Sequence, residues 1–229
     1  MRALYLPEDF VEEGETLIKG EKLHHLLNVA RVKKDQEIVL LNGKGSKAFG
    51  QVAQIDKNKL KILVSGSTTE KRPKHLAHLG FGAPKKDALE NCLRSCVELG
   101  IEKIYLLECE RSQKYPLKEE RLERIIIAGM EQSNNPFRPD ITVCALKDAP
   151  LERYANIFLA SLKKGGGVDS ETKGDSLLLI GPEGGFSQDE EESVLRLKGA
   201  APLNFSTPIL RTQTAVPALS AYLAAKLEP

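Results

Sequence analysis

Four consecutive apolar residues, Leu177, Leu178, Leu179 and Ile180, run straight into Gly181, Pro182, Glu183, Gly184, Gly185 and Phe186. A short apolar run bounded by polar residues reads as a buried strand. The three glycines that follow allow backbone angles and close approaches that side chains forbid, so the strand must end in an irregular loop. A helix is expected at once. Ser187 and Glu190 have capping-box spacing, Asp189 to Glu192 occupy the positive end of the helix dipole, and Lys198 with Gly199 closes the element. A second strand is expected at 202–205, a loop at 206–213 and a last helix of small and apolar residues at 214–227. Two strands ending in loops that each feed a helix place both loops on the carboxyl edge of an open α/β sheet, where ligands bind.

The first loop is neither the dinucleotide GxGxxG nor the phosphate-gripping GxxxxGK[ST]. Glu183 lies inside it, and its charge would repel a pyrophosphate. A ligand that is cationic or rich in hydroxyl donors fits better. S-adenosylmethionine is both, with a sulfonium, an ammonium and a ribose. Taken alone, the loop reads more readily as a turn that merely joins strand to helix.

Upstream, residues 1–70 read as short strands at 3–6, 16–18, 37–41, 48–55 and 60–64, with turns at 42–45 and 57–58 and helical spacing only at 21–30. So few residues suit a small barrel better than a sandwich. Residues 71–74 look like a linker stiffened by Pro73. From residue 75 the order alternates: strands at 76–81, 103–107, 141–146 and 157–160, helices at 85–99 and 118–132. Such alternation means a mostly parallel sheet with helices on both faces. Its strand ends would gather Lys85, Arg111, the glycine loop and residues 206–213 into one crevice.

The chain is near neutral, with 33 basic and 32 acidic residues, but residues 22–74 hold 12 Lys and Arg against 4 Asp and Glu. Such a stretch is either a solvated face or the footprint of a phosphate backbone. The segment Glu131, Gln132, Ser133, Asn134, Asn135, Pro136 has the composition of a helix end followed by proline. Cys92, Cys96, Cys109 and Cys144 form no CxxC and lie in apolar segments, which suits buried free thiols in a reducing cytoplasm. His24, His25, His75 and His78 form no HExxH, so no metal is expected. Nothing resembles a leader peptide or a membrane span.

The stretch from Leu178 to Ser187 with Glu190, and later Ile209, Leu210, Arg211, Thr212, Gln213, Thr214 and Ala215, resemble two signature stretches of one group. That group is the bacterial small-subunit (16S) ribosomal RNA uridine N3-methyltransferases of the SPOUT superfamily. The resemblance implies an α/β fold in two parts: a small N-terminal PUA-like β-barrel that binds RNA (1–70) and a SPOUT α/β trefoil-knot domain (75–229). It also implies S-adenosylmethionine bound in the knot, a homodimer, a cytoplasmic setting, and small-subunit ribosomal RNA or the 30S particle as substrate. Cofactor contacts are then expected from Ile180, Gly181, Pro182, Gly184, Gly185, Ser206, Ile209, Leu210 and Thr212. Arg211 is expected to stabilise the uridine anion in catalysis, and Glu183 to accept hydrogen bonds in the site. RNA contacts are expected from Arg31, Lys33, Lys34, Lys85, Arg111 and Gln132. His25, Val29, Arg31 and Gly43 match the group's N-terminal pattern, whereas Asn28 replaces a usual arginine and Asp35 a usual glycine. Ser95, Asn135, Ser206 and Gln213 depart from a usual lysine, arginine, glycine and glutamate. These departures keep a second function open, a catalytically silent RNA-binding or ribosome-assembly protein on the same fold. A dinucleotide-dependent oxidoreductase fails on the missing fingerprint.

Overall fold

The computed structural model describes residues 2–28, 31–112, 118–161, 166–168, 172–204 and 208–227, apart from the side chains of His25 and Lys86. Ser206 and Val29 therefore lie outside the described residues. The chain divides into two compact units, residues 1–71 with 127–138, and residues 72–126 with 139–229.

The first unit holds β1 (Arg2–Tyr5), β2 (Gly14–Ile18), α1 (Gly20–Asn28), β3 (Glu37–Leu41), β4 (Ser46–Ile55) and β5 (Leu60–Thr69). They form one sheet in the order β1-β3-β4-β5-β2, with β1 parallel to β3 and the other pairs antiparallel. Register shifts at Phe49/Gly50 and Val52/Gln54 bend β4, as bulges do. Ile38, Leu40, Val52, Leu60 and Ile62 alternate inward and close on Leu23 and Leu26 of α1. Segment 127–138 joins this unit through backbone bonds, Gly45 N–H to Pro136 O at 3.0 Å and Arg138 N–H to Gly43 O at 3.0 Å. The Glu131 carboxylate accepts the Tyr5 N–H at 3.0 Å.

The second unit holds β6 (Ala77–Gly82), α2 (Lys86–Glu98), β7 (Lys103–Glu108), α3 (Glu119–Ser133, whose last turns belong to the first unit) and β8 (Asp140–Ala145). Two 3-10 turns (Leu146–Asp148, Leu151–Arg153) follow, then β9 (Asn156–Ala160), β10 (Ser176–Ile180), α4 (Gln188–Leu195), β11 (Ala200–Leu203) and α5 (Thr212–Lys226). All six strands are parallel, in the order β11-β9-β10-β6-β7-β8. The apolar run is continuous because β10 is buried on both faces. Leu178 and Ile180 join a core with α2 and α5, while Leu177 and Leu179 join the opposite core with Val194 of α4.

Two helices end on residues in the left-handed region. Gly100 adopts φ +71°, and the Ile101 N–H returns to Cys96 O at 3.0 Å, the reach-back bond of a Schellman end. Asn134 does the same for α3 at φ +55°, with the Asn135 N–H on Met130 O at 3.1 Å. Several boundaries differ from the sequence reading: β5 runs on to Thr69 rather than 64, and α4 ends at Leu195, ahead of the expected closure at Lys198 and Gly199. β11 ends at Leu203 rather than 205, and α5 begins at Thr212 rather than 214, with Arg211 at its N-cap position. Among the described residues no helix is long and apolar enough to cross a membrane.

Candidate functional site

The sheet of the second unit reverses its order between β6 and β10: from β6 the chain moves outward to β7 and β8, whereas β9 and β11 lie beyond β10. Strand ends at such a switch point open into a crevice. Here β10 delivers residues 181–186. Parts of that loop are fixed by the β6–α2 junction, by the stretch after β7 and by the start of α5. Gly181 O accepts the Thr212 hydroxyl at 3.2 Å, which brings the start of α5 to the loop. Pro182 packs where a side chain on Gly82 would stand, its ring Cδ 2.5 Å from that Cβ position. The Glu183 carboxylate faces the start of α2, accepting the Lys85 N–H at 3.4 Å. Gly185 N–H bonds back to Pro182 O at 2.8 Å, closing a tight turn, and Gly185 takes φ +71°. Gly184 itself has an ordinary φ. The left-handed residue of the loop is its neighbour.

Arg111, after β7, sends its guanidinium to Gly184 O at 3.1 Å and Phe186 O at 3.4 Å. The stretch that carries it is moored too. Glu110 N–H donates to the Glu190 carboxylate at 2.8 Å, and the other oxygen of that carboxylate accepts the Ser187 N–H at 2.8 Å. Ser187 Oγ accepts the Glu190 N–H at 3.3 Å, completing the capping box read from the sequence. Nothing in the sequence separates Arg111, expected on RNA, from a partner of a loop 73 positions away.

The second loop arrives with Ile209, Leu210, Arg211 and Thr212. Leu210 packs against the α2/α5 core, Thr212 is buried, and Ile209 stays 76% exposed, an apolar side chain left in solvent three residues from the Thr212–Gly181 contact. Arg211 is exposed, and its carbonyl accepts the Thr214 and Ala215 N–H groups as α5 begins. The structure thus brings together Ile180 to Gly185, Ile209 to Thr212, Lys85 and Arg111 in the second unit. Gln132, Arg31, Lys33 and Lys34 belong to the first, all four exposed.

The thiols near the loop are not nucleophiles. Burial first, then the Glu183 charge, pushes Cys92 up to about 12, and burial with Glu190 does the same for Cys109, about 12. A thiol that high is protonated at neutral pH. Among the described residues no group of three or more His, Cys, Asp or Glu could hold a metal ion. A surface groove of about 760 Å³ lies beside α4, lined by Leu146, Lys147, Arg153 and Glu190 among others, and none of residues 180–186 or 209–212 lines it.

Comparison with known proteins also gives two segments of chain. The family described as "RNA methyltransferase domain" matches residues 70–224, and "RNA methyltransferase PUA domain" matches residues 18–65. A Bacillus subtilis protein named ribosomal RNA small subunit methyltransferase E is 30% identical, the alignment covering 92% of this chain and 90% of that protein. A crystal structure of a ribosomal RNA small subunit methyltransferase E from Neisseria gonorrhoeae, bound to S-adenosyl methionine, has a TM-score of 0.85 at 24% identity, covering 98% of this chain and 97% of the other. A probable rRNA-methyltransferase from Porphyromonas gingivalis has a TM-score of 0.80 at 29% identity, covering 99% and 98%. With both of its segments matched, the chain belongs to the RNA methyltransferases that carry a PUA domain ahead of the methyltransferase domain.

Proposed function

We propose that this chain transfers the methyl group of S-adenosylmethionine to N3 of a uridine in small-subunit ribosomal RNA. The observation that carries the reading is the pinned glycine loop at the switch point of a methyltransferase domain. The loop suits the cofactor. A Cβ at Gly181 would meet Phe186 N at 2.9 Å, so the backbone folds tightly there, while a Cβ at Gly185 would meet nothing within 4 Å, so that side lies open. Exposed Ile209 offers an apolar surface for a purine, and the Glu183 carboxylate a partner for a cation. The residues expected to hold the cofactor are Ile180, Gly181, Pro182, Gly184, Gly185, Ser206, Ile209, Leu210 and Thr212.

When bound, S-adenosylmethionine supplies an electrophilic methyl group on a sulfonium. The chain's own residues position the acceptor and stabilise its charge. N3 of uridine is protonated at neutral pH, so its proton must leave to solvent as the N–C bond forms. Arg211 cannot act as a base, because guanidinium stays charged; it holds the developing anion instead. The N-terminus of α5, directly after Arg211, adds positive potential of its own. The PUA part, residues 1–70, holds RNA through Arg31, Lys33 and Lys34, and the part from 75 onward carries the chemistry. The working form is a homodimer in the cytoplasm whose interface includes the outward side of α5, where Ala218, Ala221, Ala224 and Ala225 leave little to pack on the protein's own core.

The test is reverse transcription of ribosomal RNA from a strain lacking the gene. N3 methylation blocks the pairing edge and halts the polymerase, so one stop in the small-subunit RNA is expected to vanish and to return when purified protein and S-adenosylmethionine act on 30S particles from that strain. An unchanged stop pattern refutes the reaction. Sedimentation at micromolar concentration showing a monomer refutes the dimer.

A further inference from the structure

We infer that Arg111 is a positioning residue for the cofactor, acting through the backbone of the glycine loop; the inference rests on the proposed cofactor site. The peptide unit between Gly184 and Gly185 is flanked by two glycines, so no Cβ limits its rotation. Two bonds fix that plane from opposite ends. Its N–H donates to Pro182 O at 2.8 Å, and its carbonyl accepts from the Arg111 guanidinium at 3.1 Å. The same nitrogen reaches Phe186 O at 3.4 Å, so one cation holds the carbonyls on either side of Gly185, the loop's left-handed residue.

The arginine also fills space against the loop. A Cβ at Gly184 would meet Arg111 Cβ at 3.2 Å and Cδ at 3.5 Å, so the arginine stem lies along Gly184 and backs the turn. The anchor is itself anchored. Glu190 takes the Glu110 N–H on one carboxylate oxygen and the Ser187 N–H on the other, tying the stretch after β7 to the helix that follows the loop. Without Arg111 the two-glycine peptide regains rotational freedom, and a cofactor must order it on binding. That entropy opposes affinity and does not touch the chemical step. This use of the guanidinium differs from an RNA contact, which would leave cofactor affinity unchanged.

The experiment is calorimetric titration of S-adenosylmethionine into wild type, Arg111→Ala and Arg111→Lys, with steady-state methylation of 30S particles. Arg111→Ala is expected to bind the cofactor at least about tenfold more weakly. Its KM for the cofactor rises, kcat at saturating cofactor stays within about twofold, and KM for the 30S particle is unchanged. Lysine, a single point of charge without the guanidinium fork, recovers part of the affinity. The lysine variant, folded by circular dichroism, keeps the test decisive if alanine unfolds the protein. Wild-type cofactor affinity in both variants, or a raised KM for the 30S particle with a shallower salt dependence, overturns the inference while leaving the cofactor site standing. No binding of S-adenosylmethionine by wild type overturns the site itself, and the inference with it.

Discussion

Gly82→Ala is a one-atom test of how tightly the switch point is packed. The added Cβ would stand 2.5 Å from Pro182 Cδ, 2.6 Å from its nitrogen and 2.9 Å from its Cβ. These atoms belong to a ring fused to the backbone, so they cannot swing aside as the end of a flexible side chain would. Overpacking costs about 1–3 kcal/mol, and three contacts this short against a rigid ring argue for the upper end. Replacing glycine in a strand returns about 0.5–1 kcal/mol through the unfolded state. The net is a loss of about 2 kcal/mol, or about 4–8 °C in Tm for a chain of this size. Two other glycines calibrate it. At Gly80 the nearest atoms are the ends of Leu179 and Leu107 at 2.7 and 3.1 Å, which can give, so a smaller loss is expected. At Gly166 nothing lies within 4 Å, and alanine is expected to be neutral. Scanning calorimetry of the three variants should order them Gly82, Gly80, Gly166, and the Gly82 variant should also bind S-adenosylmethionine more weakly, because Pro182 moves. A Gly82→Ala midpoint within 2 °C of wild type would refute the packing argument.

Arg211→Ala is expected to fold normally and lose at least about a hundredfold in methyl transfer, since a nearby cation lowers an acid's pKa by about 1–3 units, with lysine recovering part; wild-type turnover on 30S particles would place the activating charge elsewhere. Replacing Lys33, Lys34 and Lys57 by alanine should flatten the salt dependence of RNA binding by about one unit per lost contact. Lys61, paired with Glu15 at 2.5 Å, and Lys59, 3.6 Å from Asp56, should contribute less, which filter binding across a salt series would measure. His78 is buried against Tyr154 and near Asp175; burial pushes its pKa below the ordinary 6.5, outweighing the raising effect of Asp175, while Lys103 lowers it further. The unfolded chain takes up a proton that the folded one resists, so this stability is full above pH 6.5 and is lost as pH falls below it. His78→Phe should flatten the fall in urea midpoint between about pH 7.5 and pH 5.5.

What the sequence made legible was local. The run at 177–180 and the Ser187/Glu190 box each act within a few residues, and the structure places them as read. The start of α5 lies two residues ahead of the expected 214, because Thr212 does not stay in the loop but opens the helix. Its hydroxyl goes to Gly181 O, and Arg211 occupies the cap position without a side-chain bond. Long-range choices were invisible. Neither the closeness of Gly82 and Pro182 nor the turn of Arg111 toward the loop leaves a periodic trace. The docking of segment 127–138 on Gly43, Gly45 and Tyr5 was hidden likewise, since its polar residues read equally well as a helix end.

The manner in which residues 181–186 are held makes them a poor candidate for transplantation. Gly82 and the Lys85 N–H come from one stretch, Arg111 and Thr212 from two others, and each touches a different residue of the loop. Grafted alone onto another parallel sheet, the six residues would keep their glycines and the Gly185–Pro182 bond but lose every restraint from outside the loop. A designer would have to move four stretches of chain together. A search for the six-residue pattern by itself would for the same reason find many loops that share the spelling and few that share the shape.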